Sequence, residues 1–141
     1  MKLRLLSESD KDQALLAQEE LAAEHFDFLL GYDPQVDWTG FLENVEDIRH
    51  GRNVPTGQVP ATFLIAEVDG NLVGRVSLRH QLNPFLRTVG GHIGYAVRPQ
   101  FRRQGYAQRI LELSLAEAKR LGIDQVLVTC DADNVASKTT I

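Results

Sequence analysis

The sequence between residues 102 and 107 reads Arg102-Arg103-Gln104-Gly105-Tyr106-Ala107. An apolar run, Ile93–Val97, and Pro99 precede this stretch, and an amphipathic segment that ends at Gly122 follows it. This order predicts a strand, a short basic loop with one glycine, and the start of a helix. The first N–H groups of a helix have no partner inside the helix, and the helix dipole favours an anion there. Because Gly105 has no Cβ, a phosphate oxygen could approach the main chain closely. The stretch therefore predicts a site for a phosphorylated ligand.

Two common phosphate sites do not fit the spacing. A nucleotide P-loop needs G-x-x-x-x-G-K-[ST], and a dinucleotide site needs G-x-G-x-x-G inside a parallel βαβ unit. The stretch lacks both patterns, and the segments before it have the pattern of hairpin strands. An ordinary β-to-α turn with surface arginines is the alternative interpretation.

The stretch resembles the [QR]-x-x-G-x-[GA] signature of the GNAT superfamily of acyl-CoA-dependent N-acetyltransferases, in which this loop wraps the CoA pyrophosphate. Its flanks are similar too: Gly94-Tyr95-Ala96-Val97-Arg98-Pro99 before it, and Gln125–Val128 and Asn134–Ser137 after it. The resemblance is close from about residue 61 to residue 141, and extends to the N-terminal part only in pattern.

Length, composition and charge restrict the class of protein. A chain of 141 residues with 43% hydrophobic and 24% charged residues is expected to form one soluble globular domain over residues 1–141. The net charge of −4 argues against a general nucleic-acid binder. No segment has the length of a membrane span and no leader opens the chain, so we expect a cytoplasmic protein without a membrane partner. A single cysteine, Cys130, excludes an internal disulfide and is expected to be a small buried hydrophobe.

Periodicity and turn residues predict the elements in order. Strands are expected over residues 2–6, 61–68, 72–79, 88–97 and 125–130, helices from about residue 9 to 24, 38–50 and 106–121, and a further helix near Val135. Asp69-Gly70-Asn71 predicts a tight hairpin turn, and residues 81–87 a loop. The fold class is α/β (α+β), and the resemblance implies a GNAT-like mixed, mostly antiparallel sheet flanked by helices, with a splayed central strand pair.

The resemblance also implies that two C-terminal strands are absent, so the domain is expected to be truncated there. A sheet left short has an unpaired edge, and a homodimer could complete it.

The activity implied by the resemblance is direct transfer of an acetyl group from acetyl-CoA, the cosubstrate, to a primary amine of a small molecule or peptide. It implies that main-chain groups of Tyr95, Ala96 and Val97 pair with the pantetheine arm. The pyrophosphate would lie against Arg102, Arg103, Gln104, Gly105, Tyr106, Ala107 and Gln108. Asn134 and Ser137 would lie along the arm, although Asn134 is equally suited to cap a helix. The alternative function is an acyl-CoA-binding module without catalysis, a sensor or a subunit.

Catalytic candidates are few. His92 lies on the strand beside the expected cleft and titrates in the useful range, so it is a candidate base. Glu67 and Tyr95 are further candidates, and each of the three could instead be a packed or solvated residue. The family's thiolate-protonating tyrosine has no counterpart in residues 135–141. If the acid lies downstream of these residues, we expect the chain to bind cofactor and turn over poorly. The scattered histidines lack metal-ligand spacing, and no metal is expected.

Acceptor selection is expected to fall to the N-terminal helices and the loop from Gly31 to Pro60. Tyr32, Trp38 and Phe41 could line a pocket there, or belong to the core. Arg79 and His80, at the end of the hairpin, could rim the acceptor site or lie at a solvated strand end.

Overall fold

The computed structural model describes residues 1–129 of the chain. Its strands are β1 (Lys2–Leu5), β2 (Ala61–Val68), β3 (Asn71–Arg79) and β4 (Ile93–Val97), and its α-helices are α1 (Lys11–Ala22), α2 (Trp38–Arg49), α3 (Pro84–Thr88) and α4 (Tyr106–Arg120). Short 3-10 turns at Glu8–Asp10 and Pro99–Phe101 precede α1 and follow β4. Within these residues, no helix is both long and apolar enough to cross a membrane.

The four strands form one antiparallel sheet in the order β1-β2-β3-β4. The β2–β3 hairpin turns at Asp69 and Gly70, which have φ values of 50° and 81°. A two-residue turn of type I′ requires positive φ at both central positions, which Gly adopts freely and Asp tolerates. The predicted hairpin is therefore confirmed, with its register set by this turn.

Alternation along the strands separates two cores, one on each face of the sheet. Phe63 and Ile65 of β2 pack with α1 and α2, whereas Val76 and Leu78 of β3 pack with α4. The apolar side of α4 is formed by Ile110, Leu111 and Ala118, which are buried. The expected mixed architecture, an antiparallel sheet flanked by helices, is confirmed.

Helix α4 ends as the sequence predicts. Lys119 and Arg120 occupy its last turn, and Gly122 follows at a φ of 85°. The N–H of Ile123 donates to the carbonyl of Ala118 at 2.9 Å, which closes the helix in the manner of a Schellman motif.

Two expectations between β3 and β4 are wrong in detail. The strand expected from residue 88 begins only at Ile93, because Gly90 and Gly91 take φ values of 99° and 58°, outside the extended region. The loop expected over residues 81–87 contains α3, which starts with Pro84 after Asn83 caps it by accepting from the N–H of Leu86 at 2.8 Å.

The strand expected over residues 125–130 is not formed within residues 125–129. Instead, this segment lies beside the start of β4 and bonds to it through Leu127, as described below. Cys130 and the helix expected near Val135 lie outside the described residues.

Candidate functional site

The loop that leaves β4 is anchored on α1 through a buried guanidinium. Arg98 is 4% exposed, and its Nε donates to Oε1 of Glu20 at 2.8 Å while Nη1 donates to the carbonyl of Leu72 at 2.8 Å. Gln100 also donates to Glu20, at 3.0 Å. The hydrogen bond from Arg98 lowers the pKa of the Glu20 carboxyl, so the pair is ionised at neutral pH. The path of the loop is therefore set by a charged contact with α1.

The N-terminus of α4 presents a row of main-chain donors. Gly105 is the N-cap residue at a φ of 80° and a ψ of 7°, and no side chain caps the helix. The carbonyl of Gly105 accepts from Arg109 at 3.2 Å, but the N–H groups of residues 104–108 have no hydrogen-bond partner within residues 1–129. A methyl group on Gly105 would meet no atom within 4 Å. The Cβ position of Gly105 therefore faces open space, and the donors lie at the positive end of the helix dipole.

Three arginines surround these donors, and they differ in how far their charge is compensated. Arg102 donates to both carboxylate oxygens of Glu24, at 2.8 and 3.1 Å, and its Nε donates to the carbonyl of Val97 at 3.2 Å. Arg109 pairs with Glu112 at 3.2 Å. Arg103 is exposed, has a φ of 63° and makes no ion pair with any described residue.

The register of β4 decides which of its main-chain groups face away from β3. Arg79 N–H donates to the carbonyl of His92 at 2.7 Å, and Arg98 N–H donates to that of Val73 at 2.9 Å. In an antiparallel ladder these bonds alternate, so the main-chain groups of residues 94 and 96 face β3 and those of residues 93, 95 and 97 face the opposite edge. Of the residues expected to pair with pantetheine, Tyr95 and Val97 thus direct main-chain groups to that edge, and Ala96 directs its groups to β3.

The start of this edge is joined to residues 127–129. His92 N–H donates to the carbonyl of Leu127 at 2.8 Å, Leu127 N–H donates to Nδ1 of His92 at 2.9 Å, and Gly90 N–H donates to Oγ1 of Thr129 at 2.9 Å. Since Nδ1 accepts, the neutral ring carries its proton on Nε2. Burial lowers the pKa of His92, and the positive charge of Arg79 lowers it further. His92 thus holds the two segments together as a neutral ring.

The structure does not bring the three catalytic candidates together. Glu67 binds Arg4 at 3.3 Å and Lys2 at 3.4 Å, and the hydrogen bond from Arg4 lowers its pKa. Its strand lies two strand spacings from β4, roughly 10 Å. Tyr95 packs against the core on the α4 side. Their catalytic roles, and that of His92, stay predictions. Asn134 and Ser137 lie outside the described residues, and within the described part no group of three or more His, Cys, Asp or Glu could hold a metal ion.

A cavity of about 390 Å³ lies on the opposite face of the sheet from α4. The expected acceptor region contributes to it through α2 and residues 57–59. Ser77 of β3 and Phe85 and Leu86 of α3 also line it, and the sequence analysis did not select them. Arg79, which was expected either at the rim of the acceptor site or at a solvated strand end, lines the cavity as well. The alternation along β3 was the sequence pattern that could have identified the residues of this strand, because it places Arg75, Ser77 and Arg79 on one face of an otherwise apolar strand.

The aromatic residues expected near the acceptor belong to the core. Trp38 and Phe41 are 5% and 4% exposed, and their ring centroids lie 5.5 Å apart. Tyr32 packs edge-on against Phe41 at 5.4 Å. None of the three lines the cavity.

Arg75 is buried beside the cavity and fixes the segment at residues 27–28. It donates to the carbonyls of Phe28 at 3.1 Å, Asp27 at 3.2 Å and Gly94 at 2.7 Å, and its guanidinium lies 4.8 Å from the centroid of the Phe26 ring. Burial and then the charge of Arg79 lower its pKa to about 9, so it remains a cation at neutral pH.

Comparisons with known proteins agree with this geometry. The model of the acetyltransferase (GNAT) family matches residues 18–139. The fold is similar to that of an N-acetyltransferase from Staphylococcus aureus Mu50, with a TM-score of 0.64 and 19% identity over 99% of this chain and 78% of that one. The structure of a Salmonella typhimurium protein assigned to the acetyltransferases contains acetyl-CoA. It gives a TM-score of 0.62 and 19% identity over 99% of this chain and 75% of that one.

A ribosomal-protein-alanine N-acetyltransferase from Brucella melitensis gives a TM-score of 0.59 and 25% identity over 99% of this chain and 80% of that one. A comparison with curated proteins finds no match. Because the family model covers most of the sequence, and the solved structures share the fold, the chain belongs to the GNAT acetyltransferase family.

Proposed function

We propose that this protein is an N-acetyltransferase that moves an acetyl group from acetyl-CoA to a primary amine by direct attack. The observation that carries the proposal is the row of N–H groups at the start of α4 that have no partner among residues 1–129, next to the outward edge of β4. A diphosphate is a strong multiple acceptor, and such donors at a helix N-terminus suit it. The acetyl-CoA in the Salmonella typhimurium neighbour supports the choice of ligand.

The residues present fit a coenzyme A molecule. Residues 104–108 would bind the diphosphate through main-chain N–H groups, and the uncompensated charge of Arg103 would add attraction at the rim. Val97 and Tyr95 would align the pantetheine arm along β4, and one of their N–H groups would polarise the acetyl carbonyl. Asn134 and Ser137 remain candidates along the arm.

The chain's main contribution to the reaction is position. Acetyl-CoA supplies, when bound, an activated thioester. The amine forms the new N–C bond as the C–S bond breaks, and the proton that the amine loses balances the one that the thiolate takes up. Holding the amine against an oriented thioester converts a bimolecular step into an effectively unimolecular one. The candidates for the base that takes the proton from the amine and for the acid that protonates the thiolate are His92, Glu67 and Tyr95.

Titration calorimetry of the 141-residue chain with CoA and acetyl-CoA tests the proposal first. We expect both to bind, because the diphosphate is common to them. A panel of amines with colorimetric detection of released thiol then tests transfer. Absence of binding to both ligands would refute the proposal.

A second candidate function is acyl-CoA binding without catalysis. It is supported by the hydrogen bond that occupies Nδ1 of His92 and by the ion pairs of Glu67. Tight binding of acetyl-CoA with no amine-dependent thiol release would select this alternative.

A further inference from the structure

Among residues 1–129, the cavity on the α1–α2 side of the sheet has a mainly apolar lining with two charged side chains. Leu29, Val45, Ile48 and Phe63 belong to the apolar part. The charged residues in its lining are Asp27 and Arg79, and the polar ones include Ser77 and Gln58. At about 390 Å³ the cavity is at the lower end of the range for small-molecule sites. It has room for a molecule of amino-acid size.

The two charged residues are not equally available to a ligand. Oδ1 of Asp27 accepts from Gln18 at 3.0 Å, and Oδ2 accepts from the N–H of Gly31 at 2.8 Å. Both carboxylate oxygens are therefore engaged in shaping the cavity wall. Asp27 keeps its negative charge, but its oxygens already have donors, whereas the donors of Arg79 are only partly used.

Arg79 uses one edge of its guanidinium for hydrogen bonds within the protein, and the donors of another edge are available to a ligand. Its Nη1 donates to the carbonyls of Gly90 and Gly91, both at 3.1 Å. Its Nε and Nη2 have no partner among the described residues. These two nitrogens lie on the same side of the planar group, in the fork that matches the two oxygens of a carboxylate.

Arg79 also lies close to the strand on which the reaction would occur. A Cβ atom on Gly94 would be 3.3 Å from Nη2 of Arg79, so the guanidinium lies directly over β4 at this glycine. Ser77 stands opposite Gly94 in the register. A carboxylate bound by Arg79 would therefore lie beside Gly94, next to Tyr95 on the strand along which the thioester is proposed to lie.

We propose that the acceptor is a small primary amine with a carboxylate group and an apolar body, and that Arg79 binds its carboxylate through Nε and Nη2. The proposal rests on the proposed function, since it names the substrate class of that same site. The carboxylate binds at the guanidinium, the apolar body fills the cavity, and the amine is left to point toward β4. A peptide N-terminus has an amide in place of this carboxylate, so it would not form the paired hydrogen bonds with Nε and Nη2 of Arg79.

The test compares three amines that differ in one group: leucine, leucinamide and 3-methylbutylamine. Specificity constants for CoA release are measured with the wild type, Arg79→Gln, Arg79→Lys and the matched control Arg87→Gln, an exposed arginine on α3 outside the cavity. We expect leucine to exceed the other two by about tenfold to a hundredfold, the range of a charge-assisted hydrogen-bonded pair. Arg79→Gln removes this preference, Arg79→Lys keeps part of it, and Arg87→Gln leaves it intact.

The intrinsic reactivity of each amine is the same for every variant, so it cancels when the ratio of two specificity constants is compared between variants. Because Nη1 of Arg79 anchors Gly90 and Gly91, the unfolding temperature of each variant is measured as well, and Arg79→Lys serves as the second variant if Arg79→Gln does not fold. A wild type that prefers leucinamide or 3-methylbutylamine overturns the proposal. So does an Arg79 variant that lowers all three constants equally.

A binding measurement separates this proposal from the proposed function. N-acetyl-leucine, the expected product, is titrated into the protein without cofactor, and its affinity is measured for the wild type and Arg79→Lys. If acetyl-CoA does not bind but N-acetyl-leucine binds in an Arg79-dependent way, the proposed function fails and the carboxylate site stands. If acetyl-CoA binds and N-acetyl-leucine shows no dependence on Arg79, the carboxylate site is refuted alone.

Discussion

A single methyl group at Gly105 should separate folding from cofactor binding. Gly105 has a φ of 80°, and a Cβ there would meet no atom within 4 Å. Gly105→Ala therefore creates no clash in the free protein, and its cost in folding free energy is that of a left-handed alanine, about 1 kcal/mol. For a domain of this size, that lowers the unfolding temperature by about 4 °C.

The effect on coenzyme A should be larger. The open space above Gly105 is where the proposal places the diphosphate, so the added methyl group would hold its oxygens away from the N–H groups of residues 104–108. Losing one charge-assisted hydrogen bond costs about 1.5–3 kcal/mol, which is roughly a tenfold to hundredfold loss of affinity.

Gly122→Ala is the matched control, because Gly122 lies past the other end of α4 with a φ of 85° and also has no atom within 4 Å of a Cβ position. Calorimetry with CoA and thermal unfolding are run on both variants. We expect equal losses of stability and a loss of affinity in Gly105→Ala alone. Unchanged affinity in Gly105→Ala, or equal loss in both variants, would refute the reasoning about the loop.

Three further predictions concern the charges around the site. Glu24→Gln should raise CoA affinity up to about fivefold at low salt and less at high salt, because it frees the exposed charge of Arg102. The limit follows from the strength of a surface ion pair, at most about 1 kcal/mol. Calorimetry at two salt concentrations measures the change in affinity. Glu20→Gln should lower the free energy of unfolding by about 2 kcal/mol, since it weakens the pairing of the buried Arg98. That loss should be full above pH 4.5, the usual pKa of Glu, and should shrink as the pH falls below it, because the pKa of Glu20 is lowered in the folded protein. His92→Asn should keep its stability and lose less than tenfold in kcat/KM, because the amide oxygen can replace Nδ1 as the acceptor. The wild type should lose some stability as the pH falls below 6.5, because the pKa of His92 is lowered in the folded protein, and the variant should not show this loss.

Each of these three has its own check. Glu117→Gln breaks a similar pair at the far end of α4 and should leave CoA affinity unchanged. Glu19→Gln changes an exposed neighbour of Glu20 and should leave stability unchanged at every pH. A loss of a hundredfold or more in kcat/KM for a stable His92→Asn would instead support the prediction that His92 is the base.

Local chemistry was enough to predict several parts of the molecule. The β2–β3 hairpin follows from Asp69 and Gly70, whose tolerance of positive φ selects the turn. The start of α4 follows from Gly105 and from the apolar spacing behind it. These features depend on a few adjacent residues, so the sequence contains what determines them. At Gly90 and Gly91 the pattern of a strand over residues 88–97 competed with the conformational freedom of glycine. The positive φ of these glycines places the start of β4 at Ile93.

The order of residues alone determined the family, the hairpin and the donors at the start of α4, because each is a property of contiguous backbone. Only the tertiary structure decided the surroundings of Arg79, Asp27 and His92, since their partners come from distant parts of the chain. Leu127 occupies Nδ1 of His92, and the cavity forms where segments separated by tens of residues meet over β3. Charge and hydrogen-bonding capacity are set by residue type, but whether a side chain is engaged or available depends on what the fold packs against it.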